Sequence, residues 1–256
     1  MKKISNPKTI LFPIPLTDFD PTETAISWEI LSTAGHKIIF ATPTGEQALA
    51  DQRMIVGDKL GIFKPFLIAK VNAIESYKRM EQDNSFKNPI KYTNLDEKEY
   101  DAILLPGGHA PGMKPYLESS ILQNLIVEFF EKNKPVAAIC HGVVLASRSI
   151  SKQTGKSVLY GKKTTALLES SELLAWKLTK SKIGNYYRTY TETVESEVKK
   201  SLKTNSDFLK GPMVLFRDSY KNVKRGFVVR DGNYLSARWP GDVHNFAITF
   251  LEMLKE

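Results

Sequence analysis

Short apolar runs alternate with segments of helical periodicity along the chain. Residues 9–15 form an apolar run that ends at prolines, as is typical of a buried strand. Ile26, Ile30 and Ala34 then recur at every fourth position, which predicts a helix that buries one face. The chain therefore begins with a strand followed by a helix.

The ends of this first helix are also marked in the sequence. Asp20 and Pro21 are typical of an N-cap and a first helical residue, and Glu23 stands three residues after the cap. Gly35 follows the last apolar position and predicts the helix end.

The alternation of strands and helices continues to the last residues. We predict further helices at residues 121–130 and 242–254, and further strands at residues 37–42, 100–105, 135–139, 213–216, 227–230 and 234–237. This order predicts an α/β fold with a mainly parallel sheet and right-handed crossovers. Ligands bind such sheets at the carboxyl ends of the strands.

Two polar segments interrupt this order. Residues 50–98 lack a strong period, and residues 173–211 are highly charged. We expect a single domain over residues 1–256, in which these two segments are insertions that form a lid over the sheet.

Composition narrows the function classes. A chain of 256 residues with 42% hydrophobic content can bury a full core. Its single cysteine excludes an intrachain disulfide and multi-thiolate metal sites, and a free thiol favours a cytoplasmic location. The net charge of +8 is spread among acids, so we expect no nucleic-acid partner. No apolar stretch approaches the roughly 18 residues of a membrane span.

The strongest chemical signal is Cys140, which follows the predicted strand at residues 135–139 and precedes His141, Gly142 and a helical segment. A sharp strand-to-helix turn exposes a nucleophile, and the following helix terminus would lower the thiol pKa. The alternative is an inert buried cysteine.

Other residues fall at the same expected edge of the sheet. The glycine loop that contains Gly108 and His109 could present a backbone N–H to an oxyanion, together with the N–H of His141. Glu23 has two interpretations of equal weight, a helix cap or a carboxylate that shares a proton with the thiol of Cys140.

The role of His141 is also open from the residues alone. It is either a general base or only a backbone donor, and Glu169 and Glu172 are the acids available to orient it. The other histidines have no partner at ligand spacing, so we expect no metal site.

Taken together, three motifs resemble the ThiJ/PfpI superfamily, in particular its glyoxalase III and chaperone-like branch. They are Asp20-Pro21-Thr22-Glu23, Pro106-Gly107-Gly108-His109 and Ala138-Ile139-Cys140-His141-Gly142. The resemblance implies a flavodoxin-like three-layer sandwich, and since dimers are common in the family it also implies a homodimer.

The resemblance assigns roles to individual residues. It implies that Cys140 is the nucleophile, His141 the adjacent base and Glu23 the glutamate that contacts the thiol. The third triad member follows a Gly-Lys pair in this branch, and counting from Gly161-Lys162 places it at Glu172, with Glu169 as the fallback.

The implied function is a cofactor-free enzyme that acts on small reactive aldehydes, by glyoxalase III-like conversion of methylglyoxal to lactate or by a deglycase reaction. One alternative is a cysteine hydrolase that cleaves amides or peptides. Another is a stress-response holding chaperone or an oxidant sensor. Glutamine amidotransferases carry a His-x-Glu sequence late in the chain. None of the four histidines here has glutamate two residues after it, which disfavours glutaminase chemistry.

Overall fold

A seven-stranded sheet lies at the centre of the protein. The structure is a computed structural model that describes residues 6–214 and 216–256. The sheet has the order β5-β3-β1-β6-β7-β9-β8, and every pair is parallel except β8 with β9. Its strands are β1 (Thr9–Pro13), β3 (Lys37–Thr42), β5 (Ile90–Lys91), β6 (Ala102–Leu105), β7 (Val136–Ile139), β8 (Val228–Asp231) and β9 (Tyr234–Ala237). A separate parallel pair joins β2 (Thr17–Phe19) and β4 (Leu49–Ala50).

Helices flank the sheet and complete a three-layer α/β sandwich. One group packs around α1, which contacts both α4 and α11, and another group packs around α8, which contacts α6, α7 and α10. The helices are α1 (Pro21–Ala34), α2 (Gln52–Val56), α3 (Lys64–Leu67), α4 (Val71–Met80), α5 (Asn84–Lys87), α6 (Lys114–Leu117), α7 (Ser120–Glu131), α8 (Gly142–Ser147), α9 (Glu169–Ile183), α10 (Val194–Ser201) and α11 (Val243–Met253).

The predicted fold class is confirmed, and so are most of the predicted strands and helices. The ends of α1 follow the predicted signals: the Asp20 carboxylate accepts from the N–H groups of Thr22 and Glu23, and Gly35 closes the helix in a left-handed conformation. The side chain of Glu23 is not used as a cap, since the N–H of Asp20 donates to the carbonyl of Gly107.

The strand predicted at residues 213–216 is wrong for its described residues. Met213, Val214 and Phe216 are not in a strand, while Leu215 lies outside the described residues. Met213 and Phe216 are largely exposed, and the sheet ends at β8, which pairs with β9 alone. Apolar composition without an adjacent strand edge was not enough to form a strand.

Residues 50–98 contribute to the core rather than only covering it. Strand β5 adds to the edge of the sheet beside β3, and helix α4 packs along α1. Phe86 from α5 packs edge-to-face on Phe19, Phe40 and Tyr77. This segment therefore completes one side of the central sheet.

Residues 173–211 contain most of α9, the whole of α10 and the irregular connection between these helices. That connection, residues 185–193, packs on His109 and on His141, the neighbour of Cys140, and is called the gate segment below. In the described part of the chain, no helix is both long enough and apolar enough to cross a bilayer.

Candidate active site

Cys140 lies at a sharp elbow between β7 and α8. Its backbone φ is +57°, a left-handed value that a side chain with a Cβ rarely adopts. The N–H of Cys140 still donates to the carbonyl of Ala237 at 3.1 Å, so the residue is held at the carboxyl end of the sheet. Backbone strain of this kind collects at functional sites, where the surrounding fold enforces it.

Two glycines allow the elbow to form. A Cβ on Gly142 would lie 2.1 Å from the carbonyl oxygen of Leu105, so only glycine lets α8 start this close to β6. A Cβ on Gly107 would lie 2.8 Å from the Cβ of Cys140 and from the Oε2 atom of Glu23. The glycine loop after β6 thus reaches the thiol through Gly107.

Glu23 extends from the first turn of α1 into the interior beneath the thiol. Its Oε2 atom accepts from the N–H of Gly107 at 2.8 Å, and its carboxyl group also forms a hydrogen bond with Cys140. The residue is fully buried. Burial raises the pKa of Glu23 well above its usual range, and the negative charge of Asp20 adds to the shift.

His141 faces the thiol with one ring nitrogen and Thr189 with the other. Its Nδ1 atom lies 3.5 Å from Sγ of Cys140, and its Nε2 atom lies 3.3 Å from Oγ1 of Thr189. The Thr189 hydroxyl donates its single proton to the carbonyl of His109 at 2.8 Å, so it can only accept from Nε2. This assigns the proton of His141 to Nε2 and leaves a lone pair on Nδ1 directed at the thiol.

His141 is a neutral base in this environment. Burial lowers the pKa of His141 to about 3, with smaller contributions from His109 and Arg148. The imidazole therefore stays uncharged across the physiological pH range, so its lone pair is available to accept a proton, although the low pKa makes it a weaker base than an exposed histidine.

The expected lowering of the thiol pKa is wrong for this closed site. Burial raises the pKa of the Cys140 thiol well above its ordinary range, and the charges of Glu23 and Asp20 raise it further. The N–H of His141 opposes the shift without overcoming it. Cys140 consequently rests as a thiol, and its proton must pass to a neighbour during nucleophilic attack.

Glu172 does not form the expected contact with His141, because Thr189 occupies that position. The Oε2 atom of Glu172 accepts from the N–H of Val194 at 2.9 Å, and its Oε1 atom lies 3.4 Å from Nε of Arg188. Burial raises the pKa of Glu172 to about 7. The carboxyl group thus contacts Arg188 within the gate segment and the first residue of α10 directly after it. Glu169, the fallback, is exposed at the start of α9.

Gly108 and His109 lie where the glycine loop passes under the gate segment. A Cβ on Gly108 would lie 2.6 Å from the carbonyl oxygen of Asp18, which shows how closely this turn packs. The imidazole of His109 stacks on the ring of Tyr187, with 4.1 Å between centroids. The N–H of Gly107 is already bound to Glu23, so it is not free to bind an oxyanion.

Two further polar residues at the site carried no signal in the sequence. Thr189 is 48 residues from His141 along the chain, and only the folded gate segment brings them together. Arg217 is a partly buried cation that interacts with the charges of Asp20 and Glu23, and its Nη2 atom donates to the carbonyl of Ile68 at 3.3 Å. Within residues 6–214 and 216–256, no three His, Cys, Asp or Glu side chains cluster closely enough to hold a metal ion.

The chain is similar in sequence to several known proteins. The chain is 26% identical over 170 residues to glyoxalase 3 of Candida albicans. This alignment covers 66% of this chain and 68% of that protein. It is 25% identical over 166 residues to a deglycase of Thermococcus kodakarensis. That alignment covers 65% of this chain and 69% of the deglycase. Each match thus spans about two thirds of the relative's own length.

The fold is also that of a solved structure. The crystal structure of glyoxalase III from Candida albicans superposes with a TM-score of 0.68 at 20% identity, over 96% of this chain and 97% of the other. A family model described as ThiJ/PfpI family-like matches residues 14–212, which contain the elbow, the glycine loop and Glu23. The chain belongs to the ThiJ/PfpI family.

Proposed function

We propose that this protein is a cysteine-dependent enzyme that converts small 2-oxoaldehydes such as methylglyoxal to 2-hydroxy acids without glutathione. The observation that carries the proposal is the position of the Cys140 thiol between the Glu23 carboxyl group and the unprotonated Nδ1 atom of His141. A nucleophile flanked by two proton acceptors can add to an aldehyde and then rearrange the adduct.

The first step joins the thiol to the aldehyde carbon. Glu23 takes the proton of Cys140, since its raised pKa makes the carboxylate more basic than an ordinary glutamate. Sulfur then attacks the aldehyde carbon, and Glu23 passes the proton to the aldehyde oxygen. The product is a hemithioacetal on Sγ, with Glu23 returned to its starting state.

The second step moves hydrogen between the two substrate carbons. Nδ1 of His141 removes the proton from the carbon bonded to sulfur, which forms an enediol, and returns that proton to the neighbouring carbon. The hydroxyl proton moves from the first oxygen to the second. The adduct becomes a thioester of the 2-hydroxy acid, and water cleaves the carbon–sulfur bond to release lactate and restore the thiol.

Removal of a sugar-derived adduct, the reaction named for the Thermococcus kodakarensis relative, would share the first step. Cleavage of polypeptides fits the site less well. Only 4% of Cys140 is exposed, and Tyr187 and Thr189 of the gate segment are themselves buried against His109 and His141. A peptide bond would need a much wider opening than a three-carbon aldehyde.

The test is lactate formation from methylglyoxal in the absence of glutathione and in the presence of a metal chelator. Wild type should turn over, Cys140→Ala should lose activity, and Glu23→Gln should lose about 10²-fold in kcat because the proton relay is broken. Glu169→Gln is the matched control, since this exposed glutamate should leave kcat unchanged. Absence of turnover in wild type, or full activity in Cys140→Ala, would contradict the proposal.

A further inference from the structure

The gate segment closes the site through polar and aromatic contacts. The hydroxyl of Tyr186 donates to Oδ1 of Asp51 at 2.6 Å, Tyr187 stacks on His109, and Thr189 bonds to the carbonyl of His109. Neither helix nor strand forms between the end of α9 and the start of α10. These contacts can therefore break without unfolding a regular element.

Several buried polar atoms near the gate segment have no hydrogen-bond partner among the residues that the structure describes. On the body of the protein they are Oε1 of Glu23 and the facing pair Oδ2 of Asp51 and Nε2 of His109, which lie 3.9 Å apart. On the gate segment it is the hydroxyl of Tyr187. Buried groups of this kind are stabilised when water or a polar ligand reaches them. A polar ligand that enters beside His109 and Tyr187 would therefore meet groups that the closed segment leaves without hydrogen bonds.

Gly184 provides a hinge at one end of the gate segment. It adopts φ 58° and ψ −130°, a combination that suits glycine and few other residues. A Cβ at this position would meet no atom within 4 Å, so no side chain packs against this face of the residue. At the other end, Thr193 caps α10 through the N–H of Ser196.

We propose that residues 185–193 open to admit substrate, and that Thr189, carried on this segment, is the positioning residue that fixes the tautomer of His141 when the segment closes. This inference rests on the proposed role of His141 as the base for Cys140. Closure places the Thr189 oxygen against Nε2, which holds the lone pair of Nδ1 toward the thiol. Enclosing the substrate and completing the base are then one event.

Because the chain has one cysteine, alkylation by iodoacetamide reports on Cys140 alone. Wild type should react slowly, because the closed segment buries the thiol. Tyr186→Phe removes the hydrogen bond to Asp51 and should raise the alkylation rate several-fold at unchanged pH. An alkylation rate equal to that of wild type would overturn the opening of the segment.

The positioning role is tested by a conservative pair of variants. Thr189→Val keeps the shape but cannot accept from Nε2, and Thr189→Ser keeps the hydroxyl. In Thr189→Val, ¹⁵N chemical shifts should show a mixture of the Nε2–H and Nδ1–H tautomers of His141. The kcat of this variant should fall about tenfold or more, with little change in KM. Thr189→Ser should restore both properties. A single Nε2–H tautomer and wild-type kcat in Thr189→Val would overturn the role of Thr189.

These readouts separate this inference from the proposed function. Alkylation and the ¹⁵N shifts need no turnover, so they test the gate segment even if methylglyoxal is not a substrate. If wild type does not turn over methylglyoxal but the variants show the expected alkylation rates and tautomers, the proposed substrate is wrong and the opening of the gate segment is supported. If wild type turns over methylglyoxal but the variants have the alkylation rate and tautomer of wild type, the proposed substrate is supported and the role of the gate segment is wrong.

Discussion

Individual side chains at the site owe their charge states to burial. His141 and His109 both have a pKa lowered to about 3 by burial, so each is neutral where an exposed histidine would begin to titrate. Glu23 shows the opposite effect, because burial disfavours its charged form. The site therefore combines a neutral nitrogen base with a carboxyl group whose raised pKa makes it a better acceptor for the thiol proton, as the proposed chemistry needs.

Glu172 gives a pH-dependent prediction at this scale. Burial raises its pKa from 4.5 to about 7, so between these values the folded protein binds more protons than the unfolded chain. The contribution of Glu172 to the free energy of unfolding must therefore fall as pH rises from about 4.5 to about 7. Glu172→Gln removes the charge and keeps an acceptor for the N–H of Val194, so that decrease should disappear.

Urea unfolding at pH 5 and pH 8 measures this effect. Between pH 5 and pH 8, the free energy of unfolding of wild type should decrease by up to about 3 kcal/mol more than that of Glu172→Gln. The exposed Glu169→Gln variant is the control and should follow wild type. Parallel pH dependence in wild type and Glu172→Gln would show that the buried carboxyl group has an ordinary pKa.

At the scale of elements, the elbow between β7 and α8 depends on close approach to β6. Gly142→Ala would place a Cβ 2.1 Å from the carbonyl oxygen of Leu105, so the start of α8 would have to move. We expect a loss of about 3 kcal/mol in the free energy of unfolding. Gly155→Ala is the comparison, since a Cβ there meets nothing within 4 Å and only its φ of +66° is unfavourable, at about 1 kcal/mol.

Chemical denaturation of both variants checks this difference. A loss in Gly142→Ala no larger than that in Gly155→Ala would mean that the elbow tolerates a side chain. The account of why glycine follows Cys140 and His141 would then be wrong.

The elements that the sequence predicted well are those with strong local signals. Asp20, Pro21 and Gly35 mark the ends of α1 by local hydrogen bonding, and the apolar run before Cys140 gives β7. The elbow was predictable because its strand, turn and helix are contiguous. Thr189 was not, because its position beside His141 depends on how α9 and α10 pack on the rest of the fold.

At the scale of the whole molecule, the largest difference between sequence and structure concerns residues 50–98. Their short elements have weak periodicity, and β5 spans only two residues, so local patterns gave no sign that they complete the sheet. The aromatic cluster around Phe86 joins this segment to Phe19 and Phe40 from distant parts of the chain. Such contacts are set by topology and have no signature at fixed spacing.

The whole fold brings three separate stretches of chain to one point. Glu23 comes from α1, Cys140 and His141 from the elbow after β7, and Thr189 from the gate segment. The parallel order of β1, β6 and β7 places the loops that follow these strands at the same edge of the sheet. We therefore expect a covalent adduct on Cys140 during turnover.

Rapid-quench mass spectrometry of the protein mixed with methylglyoxal tests that claim most directly. Wild type should show a transient mass increase equal to one methylglyoxal, mapped to the peptide that contains Cys140, which decays as lactate is released. Cys140→Ala should show neither the adduct nor lactate. Lactate released by wild type without an adduct on Cys140, or at an equal rate by Cys140→Ala, would contradict the mechanism.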